Sequence, residues 1–263
     1  MNNKYVKPFA LAVAFNISMI NIAQASELAV TLADASDNNS TNSQAKSSDN
    51  IQSAILESLE AKSTLMAKLA NLEHFSTNFD QEVLSESGEI IEKSSGKLAI
   101  SKPNLANWHT IEPDELAIVS DGQNVWFYNP WIEQVSVYSL SAAIAKTPIL
   151  LLTSKDEALW QQYTVTKLIS SKQVLTKADE NTGKTTESFV ISAKDVNSQI
   201  KSLTLIFDSS KENGNLKQFS FLDATGQLSH IKLNDYDDIN VPEASLFNFE
   251  VPEGVQIDDQ RAN

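Results

Sequence analysis

The 263-residue sequence predicts a mainly β fold with helices, an antiparallel meander that forms either a barrel or a strongly curled sheet, and three observations support this. Apolar and polar residues alternate at period two from residue 75 onward. Tight-turn signals recur between the alternating segments, and a long helical apolar period appears only ahead of them.

Residues 1–25 stand apart from the fold. Lys4 and Lys7 precede an apolar run, Phe9 to Ile22, that ends in the small-x-small site Ala23-Gln24-Ala25, so this segment reads as a secretory signal peptide cleaved after Ala25. A membrane anchor fits less well, because Asn16 and Ser18 interrupt a run already shorter than the ~20 apolar residues of a span. Residues 26–50 follow as a polar linker. Within them 33–50 are almost all small and polar, with too little apolar area to offset the entropy of ordering, and are read as disordered.

The folded domain is expected over 51–263. Ile51, Ile55, Leu59, Met66, Leu69 and Leu72 recur at helical spacing, with Asp49 or Asn50 as the N-cap, so a helix is expected over 51–73 with its apolar face on the sheet. Strands are expected near 75–84, 89–101, 105–111, 115–120, 123–129, 132–138, 160–168, 172–177, 186–193, 201–208, 216–223 and 227–235. The turns between them include Glu86-Ser87-Gly88, Glu112-Pro113-Asp114, Asp121-Gly122, Asn213-Gly214-Asn215 and Thr225-Gly226. Ser141 to Ser154 is too apolar for a loop and is broken by Pro148, which suits two short helices. Together with the first helix they would form a lid over one side of the sheet. The segment Val125 to Ile132 is apolar on both parities, as in a strand covered on both faces.

Composition narrows the function. The chain has no cysteine, which removes disulfides, thiolate metal sites and lipidation of an N-terminal cysteine. The net charge is −14, and loss of the leader with its two lysines and no acid leaves −16. Such a surface repels nucleic acid and anionic headgroups and suits a monomer without stable membrane insertion.

Signatures of catalysis are missing. His74, His109 and His230 lie on separate segments without ligand spacing, so no metal or other cofactor is expected. The seven glycines form no phosphate loop, and no serine sits in a nucleophile elbow. Asn234 to Asp238 lacks the glycine and distal glutamate of a calcium loop and reads as a solvated turn, as does Asp258-Asp259.

Two stretches carry a family resemblance: KLAISKPNLANWH, residues 97–109, and PDELAIVSDGQNVWFYNPWIEQV, residues 113–135. With Thr147-Pro148, Trp160-Gln161-Gln162-Tyr163, Pro252 to Val255 and Asp258 to Arg261, in order over 51–263, they resemble the outer-membrane lipoprotein carrier proteins, the LolA family. The resemblance implies an incomplete (unclosed) antiparallel β-barrel covered by an α-helical lid. It implies a periplasmic carrier, not an enzyme, that takes triacylated lipoproteins from the inner-membrane LolCDE complex and delivers them to the outer-membrane receptor LolB. LolB is itself anchored through an N-terminal cysteine, which this chain lacks.

Within that reading Leu98, Ile100, Trp108, Phe127, Leu150 and Leu151 are the expected acyl contacts. The sequence departs from the family at two positions. Lys102 stands where the family has a lid-latching arginine, and strand parity places it with Leu98 and Ile100, which implies a looser latch. Ala106 stands where relatives carry an aromatic thought to contact the transporter, and is the expected partner-contact position. The competing reading is a periplasmic binding protein for another hydrophobic ligand, a lipid or a glycolipid. A third, a hydrolase, would require a reactive serine.

Overall fold

The computed structural model describes residues 41–144, 147–168, 186–209 and 214–261. The chain divides into two compact units between Glu57 and Ser58. Helix α1 (Thr41–Asn71) supplies the described part of the first unit, and its side chains from Gln52 to Glu57 are exposed. It begins well before the expected cap and takes in the end of the stretch read as linker. Gln44, Ala45 and Lys46 are good helix formers, and no glycine or proline interrupts 41–50.

Among the described residues the second unit is built on one open sheet of twelve strands. They are β1 (His74–Leu84), β2 (Ile90–Ser101), β3 (Leu105–Glu112), β4 (Leu116–Asp121), β5 (Asn124–Asn129), β6 (Gln134–Ser139), β7 (Tyr163–Leu168), β8 (Thr186–Ala193), β9 (Ile200–Asp208), β10 (Leu216–Asp223), β11 (Leu228–Asp237) and β12 (Gln256–Asp259). Their order is β12-β6-β5-β4-β3-β2-β1-β11-β10-β9-β8-β7, so among the described strands β12 and β7 are the edges. Every pairing is antiparallel except β12 with β6.

Two short helical segments fall where Ser141 to Ser154 required them, α2 (Leu140–Ile144) and a 3-10 turn at Pro148–Leu152 whose five residues are all buried. Other readings are corrected. Trp160 closes a third helix, α3 (Glu157–Trp160), and does not open a strand, because the Asp156 carboxylate caps the helix by accepting from Ala158 N at 2.8 Å. Asp258 and Asp259 lie in β12, not in a solvated turn. Their carboxylates are satisfied by Gln260 Nε2 at 2.6 Å and by Arg261 Nε at 2.9 Å. Likewise β11 runs on through Asp237, with Asn78 donating to Asp235 at 2.9 Å and Asn234 to Asp80 at 2.7 Å. The expected strand 172–177 lies outside the described residues.

Period two sorts the sheet into faces. Phe75, Phe79 and Val83 of β1, Leu98 and Ile100 of β2, Phe189 of β8, Leu205 and Phe207 of β9 and Phe219 of β10 are buried on the inner face. The outer face of β3 to β5 is covered by the C-terminal segment, where Phe249 stacks on Trp126 at 5.7 Å and Asn107 Nδ2 donates to Leu246 O at 2.5 Å. This accounts for the two-sided apolar pattern as far as Tyr128. It does not extend to Trp131 and Ile132, which are 71% and 63% exposed on the β5–β6 turn.

Candidate functional site

Cross-strand register assembles the inner face. Leu98 pairs with Trp108, Trp108 with Ile118, and Ile118 with Phe127, which makes a row of large side chains across β2 to β5. Ile100 lies in the next row, between Phe75 and Ala106. The Trp108 ring sits 4.1 Å from Phe79 and 6.1 Å from Phe219, and its Nε1 donates to Thr110 Oγ1 at 3.0 Å. Phe127 meets Tyr138 edge-on at 5.5 Å. Gly96 makes the Phe79 position possible: a Cβ there would lie 2.8 Å from Phe79 Cζ and 2.0 Å from His109 O.

Leu150 and Leu151 belong to the buried 3-10 turn, which Thr153 closes by donating from Oγ1 to Leu150 O at 2.7 Å. The structure therefore buries all six expected acyl-contact residues, four of them on one continuous sheet face. Ala106 is also buried on that face, opposite Ile100, so no partner reaches it while the lid is shut.

Helix α1 docks through Ala61, Leu65 and Leu69, and Leu72 just past its end is buried with them. These repeat at four, four and three residues, one stripe of a helix. The stripe differs from the expected one, since Ile55 and Leu59 are exposed and only Leu69 and Leu72 are shared with it. The buried stripe runs through the part of α1 that belongs to the second unit.

Polar contacts fasten α1 on two sides. Toward the β7 edge, Ser58 Oγ donates to Val165 O at 2.9 Å, Lys62 Nζ donates to Trp160 O at 2.5 Å, and Lys68 pairs with Glu187 at 2.7 Å. Glu187 also takes Lys167 at 2.5 Å. Burial pushes its carboxyl up, but hydrogen bonds and charge from Lys167 and Lys68 hold it below the usual range. On the other side Lys102, in the turn after β2, donates from Nζ to Leu69 O, while its backbone N donates to Glu73 O at 2.8 Å. Leu69 O is among the last carbonyls of α1, where the helix dipole favours a cation. Burial lowers the Lys102 pKa to about 8, with Glu73 acting against the fall and Lys155 adding to it.

An apolar crevice bounded by Ile144, Pro148, Leu151, Tyr163, Ile191 and Leu203 holds about 10 Å³ of free volume. That is at the lower limit of what admits a single water, so the crevice as it stands is too small for an acyl chain. Among the described residues no group of three or more His, Cys, Asp or Glu side chains is placed to hold a metal ion, and no helix is long and apolar enough to cross a membrane.

Sequence reading located the apolar row and Lys102 but missed Ser58, Lys62, Lys68 and Glu187. Each is an ordinary polar residue in sequence and gains its role only from pairing with a segment about a hundred residues away.

Residues 70–250 match the family model described as outer membrane lipoprotein carrier protein LolA. An outer-membrane lipoprotein carrier protein of Shewanella sediminis is 39% identical over 76% of this chain and 86% of its own length. That of Shewanella frigidimarina is 37% identical over 75% and 85%. Among solved structures, a LolA-superfamily protein from Nitrosomonas europaea aligns over 72% of this chain and 97% of its own, with a TM-score of 0.40 and 13% identity.

Proposed function

The chain belongs to the LolA family of outer membrane lipoprotein carrier proteins, and from that premise we propose that it carries triacylated lipoproteins through the periplasm, accepting them from the inner-membrane LolCDE complex and yielding them to the outer-membrane receptor LolB. Residues 1–25 are its export leader, removed after Ala25, and the polar residues from there to α1 are a linker. It works as a monomer and performs no chemistry.

The observation that carries this reading is a continuous apolar sheet face shut beneath a helix that polar contacts hold in place. Each methylene moved into water costs about 0.8 kcal/mol, so three acyl chains would cost tens of kcal/mol to expose. A carrier must bury them and still release them, which requires a lid that closes weakly. Leu98, Ile100, Trp108, Phe127, Leu150 and Leu151 contact the chains once α1 lifts. Lys102 is the latch, and Ala106 meets a partner only in the opened form.

The test is release of a triacylated lipoprotein from inner-membrane spheroplasts by the purified protein. A soluble one-to-one complex is expected. If the lipoprotein stays with the membrane while the protein is folded, the reading fails.

A further inference from the structure

The direction of each strand places the two sets of turns at opposite ends of the sheet. The β2–β3 and β4–β5 turns, Lys102-Pro103-Asn104 and Gly122-Gln123, lie at the latch end. The β1–β2, β3–β4 and β5–β6 turns lie at the far end, and their chemistry is different.

The far end displays large apolar side chains on rigid supports. Trp131 and Ile132 are the most exposed, and Ile90, Ile91 and Ile111 beside the other two turns are each about half exposed. Asn129 Oδ1 accepts from Trp131 N at 3.0 Å, Glu133 N donates to Pro130 O at 3.3 Å, and Gln256 N donates to Glu133 O at 2.9 Å, so the Trp131–Ile132 tip is held in one shape. The β1–β2 turn is likewise closed by Ser85 N donating to Glu89 O at 2.9 Å. Exposed aromatic and aliphatic side chains on a preorganised turn lose little entropy on binding and are the usual anchors of protein interfaces.

Charge narrows what can dock there. Residues 85–89, 113–115 and 130–133 contain Glu86, Glu89, Asp114, Glu115 and Glu133 and no lysine or arginine, and β3 ends on Glu112. A second copy would set carboxylates against carboxylates, and an anionic bilayer would be repelled as well. We propose that this end of the sheet, centred on Trp131 and Ile132, is a docking surface for a protein partner that presents an apolar cleft bordered by lysine or arginine. The surface is spatially separate from the lid latch, so a partner can hold the carrier without covering the end where Lys102 works. Burial first, and then the nearby Asp114, push the Glu92 carboxyl above its usual range.

The proposal rests on the carrier reading only for the choice of partners. The full-length protein, the Trp131→Ser/Ile132→Ser variant and the Glu89→Lys/Glu112→Lys/Glu133→Lys variant would each be measured kinetically, at low and high salt, against the purified transporter complex and the purified receptor. All five altered side chains are exposed, and binding of a triacylated lipopeptide serves as the control. For at least one partner the tip variant should dissociate about tenfold faster, and the charge variant should associate about tenfold more slowly with a flattened salt dependence. Lipopeptide binding should not change in either. Loss of lipopeptide binding by the parent protein would instead count against the carrier reading.

Three results would overturn the docking surface. Both partners could bind both variants as they bind the parent. Vesicles of phosphatidylethanolamine and phosphatidylglycerol could bind the parent and not the tip variant. Sedimentation could show a dimer that the tip variant abolishes.

Discussion

Lys102→Arg tests the latch. Burial lowers the lysine pKa from 10.5 to about 8 in the closed form, whereas an opened form hydrates it and restores the ordinary value. At about 1.4 kcal/mol per pH unit the difference is roughly 3 kcal/mol, and solvent screening of a half-exposed group brings it to about 1–2 kcal/mol. At pH 7 both forms carry the charge and closure bears this cost in full. Between pH 8 and 10.5 closure expels a proton, so the closed form gains as pH rises and the gain is complete above 10.5. Arginine does not titrate there, is more weakly hydrated and can offer a planar fork to the last carbonyls of α1, which should favour closure by about 1 kcal/mol at pH 7. The assay is binding of an apolar fluorescent probe from pH 7 to 10, together with the rate of lipoprotein transfer. The parent should bind less probe as pH rises, and Lys102→Arg should show a flat profile with transfer about fivefold slower. An unchanged transfer rate and bound lifetime, or a pH dependence that survives in Lys102→Arg, would refute the reasoning.

Further outcomes follow from the same contacts. Gly96→Ala places a Cβ 2.0 Å from His109 O and 2.8 Å from Phe79 Cζ, so denaturant unfolding should show a loss of about 3 kcal/mol or more. With Trp126, Trp131 and Trp160 changed to Phe, the remaining Trp108 should change its emission when lipopeptide binds, because Phe79 and Phe219 at 4.1 and 6.1 Å must shift to admit a chain. No change would remove Trp108 from the acyl contacts. Glu187 holds two lysines and has a depressed pKa, so its contribution is present at neutral pH and fades as pH falls through the folded value. Thermal melts of Glu187→Gln should therefore lie below the parent at pH 7 and converge with it in strong acid.

Most of the sheet was legible because alternation is a local signal. Phe75, Phe79 and Val83 announce the buried face of β1 without reference to any partner strand. Leu98, Trp108 and Phe127 were singled out through the family resemblance, since Phe127 lies in a segment apolar on both parities, where alternation does not mark a face. Elements whose stability comes from distant partners were not readable. β12 looks like a turn until Ile257 and its acidic neighbours are laid beside β6, and the docked stripe of α1 includes Ala61 and Leu65 because of where the helix reaches the sheet. Lys102 was singled out through the family resemblance and contacts Leu69 O of α1, whereas Glu187, far from Lys68 in sequence, had no local pattern to mark it.

The central claim is that acyl chains lie on the inner sheet face beneath α1. A lipopeptide carrying a photoreactive diazirine within one acyl chain, cross-linked to the purified protein and mapped by mass spectrometry, tests it most directly. Cross-links are expected at Leu98, Ile100, Trp108, Phe127 and the 148–152 turn. Cross-links confined to the outer face, around Trp126 and Phe249, would contradict the account.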